Sequence, residues 1–90
     1  MQDVVILGAG GGAKSVLWLL ETINEVRRTW NVVGLVDENP ALHGTLYGDL
    51  PILGGFEWFD SHRASVIHGV GSPVTRRRFA ARAHERGLEF

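Results

Sequence analysis

Apolar and polar positions fall along the chain in blocks that predict strands and helices in turn. An apolar run that ends at Leu7 predicts a first strand over 3–7. The next block repeats apolar residues at i, i+3, i+4 and i+7, and this spacing predicts a helix over about 12–29. A second apolar run predicts a strand over 31–37, and because it is apolar on both faces it fits a parallel strand covered on both sides.

The second half of the chain continues this order after a loop. Residues 38–50 are expected to form the loop, because Asn39-Pro40 starts a turn and two glycines interrupt any periodic pattern. Ser72 and Pro73 have the pattern of an N-cap and a first helical residue, and Gly87 is typical of a helix end. The remaining predicted elements are an edge strand over 51–53, a helical turn over 56–61 and a fourth strand over 65–70. A helix over 73–86 and the opening of a fifth strand over 88–90 follow.

Strands that alternate with helices through short connections predict an α/β domain. We expect a Rossmann-like fold of three layers with a parallel sheet. The expected strand order is 3-2-1-4-5, which reverses between strands one and four. Ligands of open α/β sheets bind at such a reversal, outside the carboxyl ends of the strands. The loops over 8–13 and 69–73 therefore lie at the expected site, with Asp37 on its flank.

The connection after the first strand carries the strongest chemical signal. Its sequence, Gly8-Ala9-Gly10-Gly11-Gly12-Ala13, matches the G-x-G-x-x-G/A pattern of phosphate-binding turns. Gly8 permits a tight turn, Gly10 lets a phosphate approach the backbone, and Ala13 lets the helix pack close to the strand. The helix start then presents free N–H groups and its positive dipole end to an anion. The alternative is a tight turn in an α/β protein that binds nothing there.

Further candidates for the same site also have ordinary structural explanations. Asp37 follows strand two and could bind ribose hydroxyls or only form a turn. Lys14 opposes the dipole of the first helix, so it either accompanies a phosphate or is a solvated side chain. Gly71 and Ser72 could offer backbone N–H groups and a hydroxyl, although Ser72 by itself is typical of an N-cap.

Charged residues of the second half suggest binding without catalysis. On a helical wheel Arg77, Arg78 and Arg82 point outward into solvent, and Arg76 alone among them is a candidate for the site. His68, within strand four, is expected to be a satisfied interior group. No histidine has metal-ligand spacing to another histidine or an acid, and no nucleophile has a nearby base. We therefore expect no catalytic residue and no metal ligand.

Composition narrows the class of protein. Ninety residues fit one small domain, and the absence of cysteine excludes disulfides and thiolate chemistry. A net charge of −1 with no binding-module signature argues against nucleic acid as a partner. No apolar run approaches the ~20 residues that cross a bilayer, and the start lacks a signal-peptide pattern. We expect a soluble, cytoplasmic chain without a membrane partner.

Three stretches of the chain fit one known pattern in order and spacing. They are 4–11, 33–54 and 69–79, and the second is the most specific because ordinary dehydrogenases lack its glycine-punctuated loop ending in Pro51-Ile52-Leu53-Gly54. Together they resemble the N-terminal domain of bacterial sugar acyltransferases of the hexapeptide-repeat type, the PglD-like and NeuD-like family. The resemblance implies that 1–90 form a Rossmann-like domain that binds a nucleotide sugar, typically a UDP-amino sugar.

The same resemblance implies a longer enzyme, a sugar O- or N-acetyltransferase. A C-terminal left-handed β-helix domain would form a homotrimer, bind acetyl-CoA as cofactor and supply the catalytic histidine. The 90-residue chain is then expected to be an inactive fragment without a cofactor of its own, and a monomer or weak dimer. Family members often have Gly-Gly-His-Ala-Arg where this chain has Gly11-Gly12-Ala13-Lys14, so Gly12 replaces that histidine. The alternatives are a freestanding module that binds NAD or another nucleotide, and half of an NAD-dependent oxidoreductase.

Overall fold

The computed structural model describes residues 1–90, and its elements follow the predicted alternation of strands and helices. Two short 3-10 turns, over Pro40–Leu42 and Phe56–Asp60, lie in the connections. The regular elements in chain order are β1 (Gln2–Leu7), α1 (Gly11–Val26), β2 (Trp30–Val36), β3 (Leu46–Tyr47), β4 (Leu50–Gly54), β5 (Ser65–His68) and α2 (Pro73–Glu85).

All strands belong to one sheet with the order β3-β4-β2-β1-β5. Strands β4, β2, β1 and β5 are parallel to one another, and only β3 is antiparallel, to β4. Without β3, the parallel strands have the order predicted for strands three, two, one and four. The predicted α/β Rossmann-like class is confirmed, and the strand order reverses at β1 as expected.

Two parts of the predicted sheet are different in the structure. The segment predicted as a loop over 38–50 contains β3, which pairs with β4, so Pro51 does not lie at a free edge. Two residues are too short a run to show a strand period, which is why the sequence gives no sign of β3. Residues 88–90 do not form a fifth strand. Their one backbone bond to β5 runs from Val66 N–H to the Glu89 carbonyl oxygen, at 2.8 Å.

Helix α1 ends at Val26, before the predicted end near Thr29, because the side chain of Asn24 redirects the backbone. Its Oδ1 accepts hydrogen bonds from the N–H groups of Thr29 and Trp30, at 3.0 and 2.9 Å. Its Nδ2 donates to the carbonyl oxygen of Trp30, at 2.8 Å. A polar side chain that satisfies backbone groups in this way competes with continued helix.

Helices α1 and α2 cover opposite faces of the sheet, which gives three layers with two cores. Successive side chains of a strand point to opposite faces. Accordingly Val4 and Ile6 of β1 pack with Ala13 and Leu20 of α1, whereas Val5 and Leu7 pack with the phenylalanines of the second 3-10 turn and α2. Burial of each such aliphatic side chain contributes about 1.5–3 kcal/mol. The interior strand β1 therefore places its carboxyl end between the two helices.

Candidate functional site

A cleft of about 450 Å³ lies at the carboxyl ends of β1, β2 and β5, where the strand order reverses. The connections that follow these strands form its walls, together with the first turns of α2. The lining residues are Gly8, Gly10, Gly11, Gly12, Asp37, Glu38, Asn39, Gly69, Val70, Gly71, Thr75, Arg78 and Phe79.

The structure brings most of the predicted site residues to this cleft and places three of them elsewhere. Ala13 is fully buried beneath it, between α1 and the sheet. Lys14 is exposed and lies with Ser15 and Trp18 on the outer surface of α1. Ser72 is the N-cap of α2 and does not line the cleft. The predicted residues that line it are Gly8, Gly10, Gly11, Gly12, Asp37 and Gly71.

In the glycine-rich connection, Gly8 fixes the turn to the neighbouring strand, whereas Gly10 and Gly11 stay accessible from the cleft. Gly8 has a φ of +99°, and a Cβ there would lie 2.6 Å from Cγ2 of Val70. Its N–H donates to the carbonyl oxygen of Val36, at 2.7 Å, which ties the turn to β2. A Cβ on Gly10 or Gly11, in contrast, would meet no atom within 4 Å. The fold thus requires glycine at residue 8, whereas absent side chains at 10 and 11 keep the cleft open.

Helix α1 begins in this cleft without a side-chain cap. Gly10 is its N-cap, no side chain caps it, and the first turn has no acidic residue. The N–H groups of Gly10, Gly11 and Gly12 donate to no acceptor in the protein. Such donors, at the positive end of a helix dipole, are the standard elements of an anion site.

Asp37 joins the ends of β1 and β2. Its Oδ2 accepts a hydrogen bond from the N–H of Ala9, at 2.8 Å, and its Oδ1 accepts from the N–H of Asn39, at 2.9 Å. The second bond forms the turn that the sequence offers as one explanation of this aspartate. The first fixes the glycine-rich connection, and a carboxylate oxygen with one partner can still accept another bond. Asp37 is therefore both a structural tie and an available acceptor at the rim of the cleft.

Strand β3 and the loop after β5 also approach the glycine-rich connection closely. The hydroxyl of Tyr47 on β3 donates to the carbonyl oxygen of Gly10, at 2.9 Å. A Cβ on Gly12 would lie only 2.6 Å from the carbonyl oxygen of Gly69. The first turn of α1 therefore packs directly on the loop after β5. With this backbone, any side chain at residue 12 requires the loop after β5 to move.

Among the arginines of α2, the one that lines the cleft is Arg78. Its guanidinium pairs with Glu38, with Nη2 2.8 Å from Oε1, and Arg82 pairs with the same carboxylate, with Nε 2.7 Å from Oε2. Arg76 donates to the carbonyl oxygen of Val70, at 3.2 Å, and lines a different groove beside Phe90. Arg78 and Arg82 are exposed, as the helical wheel predicts, but Arg76, its candidate for the site, does not line the cleft. The wheel contains no information on Glu38, which reaches α2 from the end of β2 and pairs with Arg78 at the cleft.

His68 lies outside the cleft, and the prediction that it is satisfied is wrong. Its Nδ1 is buried and has no hydrogen-bond partner, and its ring stacks on Phe90 with centroids 4.4 Å apart. Burial lowers the pKa of His68, and the positive charge of Arg76 lowers it further. The imidazole is consequently held in its neutral form.

Two further observations concern the whole chain. No three histidine, aspartate or glutamate side chains converge in a way that could hold a metal ion. Neither helix combines the length and apolar character needed to cross a bilayer.

Comparison with known proteins identifies the family of the chain. A family model described as the PglD N-terminal domain matches residues 3–83. A search of curated proteins finds no match. The matched region contains all of the sheet except Gln2, the whole of α1, most of α2 and the whole lining of the cleft. The family expected from the sequence is thus confirmed, and the chain belongs to the PglD N-terminal domain family.

Proposed function

We propose that this chain is the nucleotide-sugar-binding domain of a sugar acetyltransferase, and that its ligand is of the UDP-amino-sugar class. The observation that carries the proposal is the uncapped start of α1, which offers its N–H groups to a cleft that no side chain at Gly10 or Gly11 fills. Membership in the PglD N-terminal domain family supports the choice of a sugar nucleotide over other phosphates.

The diphosphate is the part of the ligand that this cleft suits best. A hydrogen bond to a charged group contributes about 1.5–3 kcal/mol, roughly twice that of a neutral pair. The helix dipole adds about 0.3–1 kcal/mol for a negative charge beside the first turn. The N–H groups of Gly10, Gly11 and Gly12 therefore provide the main attraction for the phosphate oxygens.

The nucleoside is assigned to the end of β2. Asp37 and Asn39 lie at that side of the cleft, and a carboxylate there can accept hydrogen bonds from ribose hydroxyls. The hydrogen bonds of Asp37 to Ala9 and Asn39 hold the acceptor in position. In this arrangement the sugar lies toward the loop after β5.

The acetyl-transfer chemistry is assigned to another domain of the same protein. The resemblance implies that a left-handed β-helix would bind acetyl-CoA, supply the catalytic histidine and form the trimer. The 90-residue chain by itself should bind the sugar nucleotide, have no acetyltransferase activity and remain a monomer or weak dimer.

A thermal-shift panel tests the proposed ligand class. UDP-N-acetylglucosamine, CMP-sialic acid, NAD and coenzyme A are compared at equal concentrations. A ligand at 100 times its Kd stabilises the folded state by about 2.7 kcal/mol, which raises the melting temperature of a domain this small by roughly 10–20 °C. We expect the UDP-sugar to give the largest shift. A larger shift with NAD would favour the alternative of an NAD-binding module, and no shift with the UDP-sugar would refute the proposal.

A further inference from the structure

We infer that Arg78 is the side chain that binds the diphosphate, and that Glu38 competes with the ligand for it and so sets the affinity of the site for anions. This inference rests on the proposed function, because it concerns the same cleft. It adds the cation that the backbone donors of α1 lack, and a carboxylate that controls that cation.

The first argument is the charge of the cleft. Asp37, Glu38 and Arg78 are its only charged side chains, so the lining carries two negative charges against one positive charge. Lys14 lies on the outer surface of α1, and Arg76 faces another groove. A diphosphate that enters this cleft has therefore a single cation available to it.

The second argument is the way in which Glu38 holds Arg78. Nε and Nη2 of Arg78 lie 2.9 and 2.8 Å from the same oxygen of Glu38, Oε1. The side chain of Arg78 is 51% exposed, and an ion pair this exposed is weak. Two parallel hydrogen bonds from a guanidinium to a phosphate are stronger and better oriented. The exchange of Glu38 for a phosphate as partner of Arg78 is therefore favourable.

The third argument is that Arg82 remains with Glu38 when Arg78 leaves. Its Nε lies 2.7 Å from Oε2 of Glu38, the oxygen that Arg78 does not use. The carboxylate is only 25% exposed, so the loss of its last cation would be unfavourable. With Arg82 in place, Glu38 stays paired during the exchange. The two arginines thus let the cleft release one guanidinium to a ligand without leaving a carboxylate unpaired.

The guanidinium of Arg78 also lies beside a buried aromatic ring of the same helix. Its Cζ lies 5.7 Å from the centroid of the Phe79 ring, and Phe79 is buried. An arginine over an aromatic face is held there by a cation–π contact. Arg78 and the glycine-rich connection line the same cleft, so a change of side-chain rotamer would turn the guanidinium from Glu38 toward the phosphates.

Calorimetric titrations with UDP and with uridine test the inference. They compare the wild-type chain with Glu38→Gln, Arg78→Gln, the double variant and Arg77→Gln, an exposed arginine of the same helix that does not line the cleft. We expect Arg78→Gln to weaken UDP binding by about 10-fold or more, the range of one charge-assisted hydrogen bond. Glu38→Gln should tighten UDP binding roughly 3- to 10-fold, because it removes a competing charge. Uridine affinity and the Arg77→Gln variant should change less than about twofold.

The double variant separates competition from a general effect of charge. If Glu38 acts through Arg78, Glu38→Gln changes UDP affinity little once Arg78 is replaced, and the double-mutant cycle shows coupling. If Glu38→Gln tightens UDP binding by the same factor in the wild-type chain and in the Arg78→Gln variant, the role of Glu38 is overturned. Unchanged UDP binding in Arg78→Gln, together with weaker binding in Gly10→Val, would overturn the inference and leave the proposed function standing. Absence of UDP binding to the wild-type chain would overturn both.

Discussion

The two helices of this domain begin at the same cleft, and their starts are built in opposite ways. Helix α2 begins at Ser72, whose hydroxyl accepts a long hydrogen bond from the N–H of Thr75, at 3.5 Å, and Pro73 removes one donor. Helix α1 begins at Gly10, which offers no side-chain acceptor, and continues with two more glycines. One helix thus satisfies part of its own start, whereas the other leaves its donors to whatever enters the cleft.

This difference makes the start of α1 the better candidate for an anion site. Serine is favoured over glycine at an N-cap by only a few tenths of a kcal/mol, so an uncapped start has a small cost in stability. Lys14 in the first turn of α1 adds a charge that opposes the helix dipole. A bound diphosphate would offset the cost of the missing cap, because a negative charge is favourable at this end of the helix dipole. At α2 no such compensation is needed, because Ser72 accepts a hydrogen bond from one of the free N–H groups and Pro73 has none to satisfy.

Gly10→Val should have the largest effect on binding. The new side chain extends into the cleft, where its Cβ meets no protein atom within 4 Å. We expect the affinity for UDP-N-acetylglucosamine to fall by about 100-fold or more, the loss of one or two charge-assisted hydrogen bonds. Calorimetry measures the affinity, and circular dichroism should show an unchanged fold. Wild-type affinity in this variant would place the phosphate site elsewhere.

Gly12→Ala should affect the fold instead. Its Cβ would lie 2.6 Å from the carbonyl oxygen of Gly69 and 3.2 Å from the backbone nitrogen of Gly71. Both neighbours are backbone atoms, so relief requires a shift of the loop after β5, at a cost of about 1–3 kcal/mol as for other overpacked sites. Urea denaturation measures the loss, with Gly11→Ala as the matched control because its Cβ meets nothing within 4 Å. Equal stability of the two variants would contradict the close packing of α1 on that loop.

Adding a serine cap to α1 and removing the serine cap of α2, in separate variants, tests the difference between the two helix starts directly. Gly10→Ser should raise the free energy of unfolding by a few tenths of a kcal/mol, because serine is the better N-cap. It should also weaken UDP binding, since the new hydroxyl takes an N–H that the phosphate needs. Ser72→Ala should lower stability by about 0.5 kcal/mol, the low end for a lost cap, and leave UDP affinity within about twofold. Opposite changes of stability and affinity in Gly10→Ser would be hard to explain if α1 were only a structural helix start.

The sequence is informative about this domain wherever the signal is local. The strand–glycine–helix order predicts the cleft wall at Gly8–Gly12, and Ser72-Pro73 predicts the capped start of α2. Long-range pairs leave no such signal. Tyr47 reaches Gly10 from a strand of two residues, and Glu38 reaches Arg78 across the cleft, so neither contact follows from the periodicity of its own segment. For this reason the helical wheel predicts the exposure of Arg78 but not its place in the lining of the cleft.

A pH series should show the smallest effect, in the strand that leads to α2. The pKa of His68 is lower in the folded state than in the unfolded chain, so the unfolded chain binds the proton more readily. Stability should therefore be constant above the unfolded pKa of about 6.5 and fall as the pH falls below it. Backbone hydrogen bonds lower the pKa of Glu57, so its contribution is present above about 4.5 and lost only as the pH falls through that range.

Substitution of His68 isolates its share of this pH dependence. Urea midpoints are measured between pH 7.5 and 5 for the wild type, His68→Gln and His84→Gln, an exposed histidine of α2. The loss of stability on acidification should be smaller in His68→Gln and unchanged in His84→Gln. An identical slope in all three chains would show that the buried imidazole titrates as it does in the unfolded state.

The central claim is that an anionic ligand binds the start of α1 and not that of α2. Its most direct test is a titration of the isotopically labelled chain with UDP-N-acetylglucosamine, followed by amide NMR. Chemical shifts report which N–H groups meet the phosphates. The largest changes are predicted for the amides of Gly10, Gly11 and Gly12, with small changes at Val74 and Thr75 in the first turn of α2. Saturating changes centred on the start of α2, or no change at the glycine amides at millimolar ligand, would contradict the account.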